Sequence, residues 1–509
     1  MTEFEHPGVF VEELERGPRP IEGVPTGTAA FLGAAERGTL RPRLVTGFAD
    51  YQRWFGDAGS DRLLPHTVRG FFANGGQRLF VCRLVGSGAT SAEAPFGEGF
   101  IVRAAGPGAW GNRVFVKIED GTRCADDTSV RFRLRVAYWK EEPATGVDPF
   151  AGGDVQPRPS RIEELDCLLD EDAASFYGKR LPLEGGSALV TLIRRPDAAA
   201  GARPANGAAM LTGGADGDAL GVVDYRGLPT EGRPRRQGLA ALELDAYRDA
   251  ALVYAPGAGD DVPAALVEHC DRLRFRFAIV DAPEGVADDA ALQPRERIAD
   301  STRAAFYYPW IVVADPDTGD HRPVPPGGHV LGVYARTDAE AGVFKAPANE
   351  VLRGAVGLER DVGEAAQDEL GRRGVNVIRD FPDRGIRVWG ARTLSTDAQW
   401  RYVSVRRFSI FLERSIYEGT RWAVFEPNDE RLWQRVIDTV RQFLRGQWRV
   451  GALAGRTEEE AFFIRCDRTT MTEDDILNGR LICEIGFAPL RPAEHVVLRF
   501  SHHTAEAHC

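Results

Sequence analysis

The chain has 509 residues, 43% of them hydrophobic and 27% charged, with a formal net charge of −12. That length suggests roughly three domains of about 150 residues, and the composition is that of a globular protein able to bury real cores. The acidic balance argues against a general nucleic-acid binder, which carries a basic footprint, and no apolar run approaches the about 18 residues that span a bilayer.

The opening residues, MTEFEHPGVFVEELE, are acidic and lack a signal-peptide core. Synthesis and folding in the cytoplasm are expected, with release by lysis or within a particle left open. The seven cysteines are odd in number, scattered and without a CxxC pair, so neither a disulfide framework nor a zinc knuckle is expected. Most sit in apolar runs such as FVCRLV and LICEIGF, where a thiol behaves as a small, buried hydrophobe. Only Lys117, Lys140, Lys179 and Lys345 are lysines. Nearly all positive charge is arginine, which pairs carboxylates bidentately.

Residues 1–25 read as an extended arm. Val9–Leu14 is a short β-prone run between the turn at His6-Pro7-Gly8 and the breakers Gly17-Pro18-Arg19-Pro20. A strand isolated in this way must pair with another segment or another chain. Residues 26–85 open an α/β unit. It has a buried strand at 28–33, a helix from Asp50 to Phe55 with Asp50 as candidate N-cap, a helix over Leu64–Ala73, and a strand over Leu79–Leu84.

From about 100 to 210 the pattern changes. Val114–Glu119, Val130–Tyr138 and Ala188–Ile193 read as strands among long Pro/Gly/Ala loops, which are uncommon inside compact cores. Residues 101–210 are therefore expected to be an inserted, β-rich outer domain. The α/β pattern returns over 211–344. Strands at Ala251–Ala255 and Phe275–Asp281 flank a helix at Val262–Arg272, implying a parallel pair. Trp310–Ala314 and His329–Tyr334 read as further strands.

Residues 345–490 read as a third, inner domain alternating helices and strands. Its clearest helix is Asp429–Arg445, with Asn428 as candidate cap. Leu432, Trp433, Val436, Ile437, Val440, Phe443 and Leu444 line one face, and Arg431, Arg435, Asp438, Arg441 and Arg445 the other. Strands are expected at Ala461–Cys466 and Leu481–Phe487. A last strand, Glu494–Phe500, lies in a C-terminal arm and tail of 491–509. The fold class is thus a multidomain α/β (α+β) chain with an inserted β domain and two strand arms.

Catalytic grammar is sparse. WIVVADPDTGD (310–320) ends an apolar strand in Asp315-x-Asp317, as a metal-dependent phosphohydrolase of the haloacid dehalogenase type would. That signature needs Thr or Val where Gly319 stands, and Pro316 with Gly319 reads as an ordinary turn. GGADGD (213–218) lacks the spaced carboxylates and closing Glu of an EF-hand loop. His502, His503, His508 and Cys509 read as a frayed tail. Asp281 and His269 have no serine on a strand-to-helix elbow to complete a triad. No Walker A, HExxH, GxSxG or post-strand GxGxxG motif occurs. No catalytic residue, cofactor or metal is expected, and an enzyme using Asp315 and Asp317 is the alternative of another class.

Several strings resemble, in order, those of contractile tail sheath proteins. They are HPGVFVEELERGPRPIEGVPTGTAAFLG (6–33), GPGAWGN (106–112), LTGGADG with DYRG (211–227), YYPWIVV and VPPGGHVLGVYARTD (307–338), KAPANEVLRG (345–354), GVNVIRDFPDRGIRVWGARTLS (374–395), FEPNDERLW (425–433) and EIGFAPLRPAEHVVLRF (484–500). The resemblance implies a non-enzymatic subunit that polymerises as stacked rings around an inner tube, between baseplate and terminal cap proteins. Contraction then drives the tube through a target envelope, as in a phage-tail-like injection system or, alternatively, a contractile phage tail. It also implies that the two arms add strands to neighbouring copies by β-augmentation. Val9, Phe10, Val11, Glu12, Glu13 and Leu14 would form one arm, and His495, Val496, Val497, Leu498, Arg499 and Phe500 the other. Between residues 371 and 460 there are 17 arginines against 12 acidic residues. The face of Arg431, Arg435, Asp438, Arg441 and Arg445 is therefore the expected contact with the tube. Neither nucleic acid nor direct membrane insertion is implied.

Overall fold

A computed structural model describes residues 20–494, apart from 58–61, 122–130, 144–145, 153–155, 173, 182–185, 200, 228–236, 260, 287–288 and 316–318. The described residues fall into two compact units, one of 25–406 and one drawn from 1–24 and 407–509.

The larger unit is built on parallel strands buried on both faces. In chain order, β1 (Ala29–Gly33) and β2 (Arg43–Val45) lead through helices α1 (Phe48–Phe55) and α2 (Leu63–Ala73) to β3 (Leu79–Arg83). Seven strands follow: β4 (Glu93–Pro95), β5 (Phe100–Ala104), β6 (Val114–Asp120), β7 (Arg131–Tyr138), β8 (Arg161–Leu168), β9 (Val190–Arg194) and β10 (Gly207–Met210). The α/β pattern resumes with β11 (Leu252–Tyr254), α3 (Asp261–Leu273), β12 (Phe277–Asp281), β13 (Ala304–Tyr308), β14 (Ile311–Ala314) and β15 (His321–Val324). It ends with α4 (Gly327–Ala341), β16 (Glu350–Val351), β17 (Ala355–Leu358), α5 (Glu364–Arg372), β18 (Val375–Phe381) and β19 (Gly385–Val388).

Nine strands make the main sheet, in the order β16-β19-β18-β13-β12-β11-β1-β3-β2. From β3 to β18 every pairing is parallel, and β2, β19 and β16 add antiparallel edges. β1, β3, β11 and β13 are buried along their whole length, as parallel strands covered on both faces must be. The sheet takes strands from both sides of residue 344, where sequence placed a domain limit. The compact units part instead at Arg406 and Arg407.

β4 to β10 form two further sheets, β4-β5-β9 and β10-β6-β7-β8. Phe100, Val102, Leu192, Val116, Phe132 and Leu134 from both share one core. This sandwich is inserted between β3 and β11. Its two connections meet in the bridges Thr90 to Ala215 and Glu93 to Thr212.

The run His329–Tyr334, expected as a strand, lies inside α4. Val330, Leu331, Val333 and Tyr334 are all buried, so the segment is apolar all round and shows no helical period in sequence. Its glycines explain the packing. A Cβ on Gly328 would lie 2.4 Å from the Thr67 carbonyl oxygen, and one on Gly332 would lie 2.4 Å from that of Phe71. α4 therefore packs on the backbone of α2. α1 starts two residues earlier than expected, and Asp50 is not its cap: Gly47 holds that place, and the Asp50 carboxylate accepts from Thr46 N instead.

The smaller unit contains most of α6 (Val403–Gly419), α7 (Glu430–Arg449), β20 (Phe462–Arg465), α8 (Glu473–Leu477) and β21 (Glu484–Phe487). Its N-terminal strip lies along α6. Ile21 is buried against Gly419, and Val24 N donates to Ser415 Oγ at 3.1 Å. β20 and β21 pair as an antiparallel ribbon.

Candidate assembly surfaces

α7 is the most amphipathic element of its unit, and its capping is local. The Asp429 carboxylate accepts from Leu432 N at 2.9 Å, while the neighbouring Asn428 Oδ1 accepts from Trp433 Nε1 at 2.8 Å. The cap is thus Asp429, one residue beyond the expected Asn428. Leu432, Trp433, Val436, Val440, Phe443 and Leu444 are buried as the spacing requires. Phe443 packs against Phe411 of α6, with ring centroids 5.9 Å apart.

The opposite face carries the five expected residues, and it is less positive than a count of arginines suggests. Arg435 bonds Glu426 at 2.7 Å and its guanidinium stands 5.1 Å from the Trp422 ring centroid. Arg441 lies 3.8 Å from Asp438 and 3.5 Å from Glu458, and Arg445 lies 2.6 Å from Glu458. Arg431 is exposed and has no ion pair among the described residues. Solvent-exposed pairs of this kind are worth about 0–1 kcal/mol each, so they can exchange partners at little cost.

The loop between α6 and α7 adds a feature with no sequence signal. Phe425 is fully exposed (103%) at a left-handed φ of +69°, next to Val424 at 64% exposure. A bulky residue in this backbone region is strained, and here its ring gains no burial against the described residues.

The arm residues Val9, Phe10, Val11, Glu12, Glu13 and Leu14, and His495, Val496, Val497, Leu498, Arg499 and Phe500, lie outside the described residues. So do Asp317 and the tail residues His502, His503, His508 and Cys509. The Asp315 N–H donates to Asp320 O at 2.8 Å and its carbonyl accepts from Gly319 N at 2.7 Å. No three His, Cys, Asp or Glu side chains converge as metal ligands among the described residues.

Other polar residues singled out in sequence act as clasps. Asp216 of the GGADGD turn accepts from Ala109 N at 2.9 Å. The Asn112 amide exchanges two hydrogen bonds with the backbone of Gly214, at 2.8 and 2.9 Å. The strings GPGAWGN and LTGGADG therefore close the neck of the inserted sandwich on each other. In the GVNV string, Asn376 donates to Phe306 O at 3.1 Å and Arg392 O at 2.8 Å, and accepts from Arg392 N at 2.6 Å. That ties β18 to β13 and to the following loop.

A cavity of about 280 Å³ opens at the C-terminal ends of β11, β12 and β13, lined by Ala255, Leu266, Asp281, Phe306 and Trp310 among others. Doubly wound sheets bind ligands at such ends. Here the cavity's Asp281 accepts from Tyr254 Oη at 2.5 Å and Gly327 N at 2.8 Å, so it caps α4. Burial pushes its pKa up to about 7. His269 is bonded to Arg276 at 2.7 Å through Nε2, and burial with that neighbouring charge lowers its pKa to about 3. This geometry fits scaffolding groups, and it does not set a base beside a nucleophile.

A family model of the phage tail sheath protein central domain matches residues 236–394, and one of the phage tail sheath C-terminal domain matches residues 395–502. Together they cover more than half of the chain. A prophage major tail sheath protein of Pseudomonas aeruginosa is 29% identical over 250 residues, covering 48% of this chain and 62% of that protein. The tail sheath protein of Burkholderia phage BcepMu is 26% identical over 235 residues, covering 43% and 48%. The chain thus spans 62% and 48% of the length of these relatives. Among solved structures, the sheath complex of an extracellular contractile injection system in its contracted state has a TM-score of 0.62 at 23% identity, covering 98% of both chains. The contracted helical sheath of the anti-feeding prophage has a TM-score of 0.59 at 24% identity, covering 97% and 98%. A sheath tail protein of Listeria innocua has a TM-score of 0.58 at 13% identity, covering 92% and 96%. At these identities the structural likeness is one of fold.

Proposed function

We infer that this chain, which belongs to the phage tail sheath family, is the structural subunit of a contractile sheath in a phage-tail-like injection system. Copies stack as rings around an inner tube, and contraction drives the tube into a target envelope. The observation that carries this reading is the match of both sheath family models, end to end, over residues 236–502. The mechanism is mechanical: a baseplate signal starts a rotation and compaction of rings, and a metastable extended state supplies the free energy. No nucleotide enters that step, and the chain acts as a non-enzyme. No described helix is long and apolar enough to cross a membrane. The working place is a particle, assembled in the cytoplasm and released by lysis or carried as a tail.

Negative-stain microscopy of the purified chain tests the reading. Ribbed tubes or rings are expected, and monodisperse globules across assembly conditions would overturn it.

Residues 1–25 and 491–509 act as strand-donating arms, so removal of residues 1–20 leaves a folded chain that forms no tubes. Residues 26–100 with 211–344 serve as the middle domain, joined in its main sheet by β16, β18 and β19, with 101–210 as the outer domain and the part of 345–490 beyond Arg406 as the inner one. Arg431, Arg435, Asp438, Arg441 and Arg445 face the tube. The exchangeable ion pairs of α7 support this, because contacts that must hold and then release cheaply are better polar and screened than apolar. Arg431→Glu should weaken co-sedimentation with tube protein while leaving sheath rings intact; unchanged tube binding would move the contact elsewhere.

A further inference from the structure

Cys466 directly follows β20, and Cys483 directly precedes β21. The antiparallel register runs from Phe462 opposite Phe487 to Arg465 opposite Glu484. One more step of the same register sets Cys466 opposite Cys483. Directly opposed residues in such a pair have Cα atoms about 4.5 or 5.5 Å apart, and a disulfide spans about 4.4–6.8 Å.

Each thiol acts on the other: the neighbouring Cys483 side chain holds the Cys466 thiol below its ordinary pKa, and the neighbouring Cys466, with burial, pushes that of Cys483 up. Both are free thiols; Cys466 is buried and Cys483 half-buried, so a small reagent reaches the pair from the Cys483 side. The intervening turn is also drawn together. Thr470 Oγ1 lies 2.9 Å from both Asp467 O and Ile482 O, joining the two ends of the segment. The scattered cysteine spacing hid this pair in sequence, because 17 positions separate two residues that the hairpin brings face to face.

We propose that Cys466 and Cys483 form an oxidation site, a reversible cross-strand disulfide made on exposure to a low-molecular-weight disulfide such as oxidised glutathione. One thiolate of the pair attacks a sulfur of the oxidant, forming a mixed disulfide and releasing the first small thiol. The other then attacks the protein sulfur of that mixed disulfide and expels the second. The two protein thiols lose two electrons and two protons, and the oxidant becomes two thiols.

The bond closes residues 467–482, including α8, onto the ribbon that leads into the C-terminal segment. A two-stranded ribbon is marginal by itself, so a cross-link at its mouth suppresses local opening. The inference rests on the register of this hairpin and stands whether or not the chain proves to be a sheath subunit.

The test uses the full chain, incubated with oxidised glutathione and mapped by mass spectrometry without reduction. The expected product is a linked peptide pair containing Cys466 and Cys483, lighter by two hydrogens and restored by dithiothreitol. Protease cleavage within 467–482 should slow about tenfold in the oxidised protein. Cys466→Ser and Cys483→Ser should each lose the linked peptide and keep the faster cleavage of the reduced protein. The proposal is overturned if both thiols stay open to alkylation, if they end as stable glutathione adducts, or if either pairs with a different cysteine.

Discussion

Replacing Gly332 with alanine sets two effects of opposite sign against each other. In a helix interior with free space, Gly→Ala gains about 1 kcal/mol, because alanine loses less backbone freedom on folding. Gly446 of α7 is such a site, with nothing within 4 Å of an added Cβ. At Gly332 of α4 the same methyl would lie 2.4 Å from the Phe71 carbonyl oxygen and 2.6 Å from Asn74 Cβ. Neither neighbour is the end of a flexible chain. Asn74 is itself fixed, donating to Gly70 O and Arg353 O at 2.9 Å each. α2 and α4 must therefore separate, at an overpacking cost of about 1–3 kcal/mol or more, which exceeds the propensity gain. Amide exchange by mass spectrometry reads each helix separately. Net of the about 1 kcal/mol propensity gain, Gly332→Ala should speed exchange over 63–73 and 327–341 by up to about 30-fold, as about 2 kcal/mol of local destabilisation implies. Gly446→Ala should slow exchange in α7 by about two- to fivefold. If Gly332→Ala protects α4 as Gly446→Ala protects α7, the backbone-on-backbone packing is wrong.

Arg276 is buried and serves the carbonyls of Ala250, Leu242 and Tyr247, at 3.0, 2.6 and 3.1 Å. Arg276→Met should cost about 2–5 kcal/mol in urea denaturation, and a loss under about 1 kcal/mol would refute that accounting. Acid should destabilise the chain through His329 and His269, whose pKa values burial lowers from 6.5 to about 4 and about 3. Their contribution is complete above pH 6.5 and is lost as pH falls towards those values. Asp281 opposes them: raised from 3.8 to about 7, it favours the folded chain below pH 3.8 and loses that contribution as pH rises to 7. Asp281→Asn should therefore steepen the climb of the urea midpoint between pH 4 and 6.5, and an unchanged slope would count against the assignment. Arg445→Gln should change stability by less than about 1 kcal/mol despite the 2.6 Å contact with Glu458, since the two side chains are 45% and 21% exposed; thermal melts at low and high salt would detect a larger, screened effect.

How much of this was legible in sequence depends on where each signal resides. β1, β3, β12, α2, α3 and α7 were visible because a buried run or a 3.6-residue period marks them directly. α4 was misread because burial on every side erases the period that separates a helix from a strand. β8 escaped for the opposite reason. In RIEELDCL the first six residues alternate between exposed and half-buried, so charged side chains mask the strand. The cap at Asp429 and the start of α1 at Phe48 show the usual uncertainty of one or two residues at helix ends. The arginine face was found in full, but its neutralisation was not. Glu426 and Glu458 reach it from a loop and from a later turn, and no helical spacing records that.

Several polar residues of the fold are spent on structure. Asn74, Asn376, Asn112 and Asp216 spend their polar groups on backbone partners far away in sequence, and the glycines of α4 admit a second helix to backbone contact. Each device removes a local degree of freedom without forming a reactive site. A subunit that passes force between rings must turn as a body, because a soft loop would absorb the work meant for its neighbour. The buried amides of Asn74 and Asn376 suit that task, since losing either partner strands a polar group at about 1–3 kcal/mol, which resists gradual yielding. The exposed pairs of α7, worth about 0–1 kcal/mol each, have the opposite property. Under the proposed sheath function, rigid clasps within the body and exchangeable pairs on its surface suit a contracting assembly, in which contacts between subunits or with the tube would give way before the subunit does.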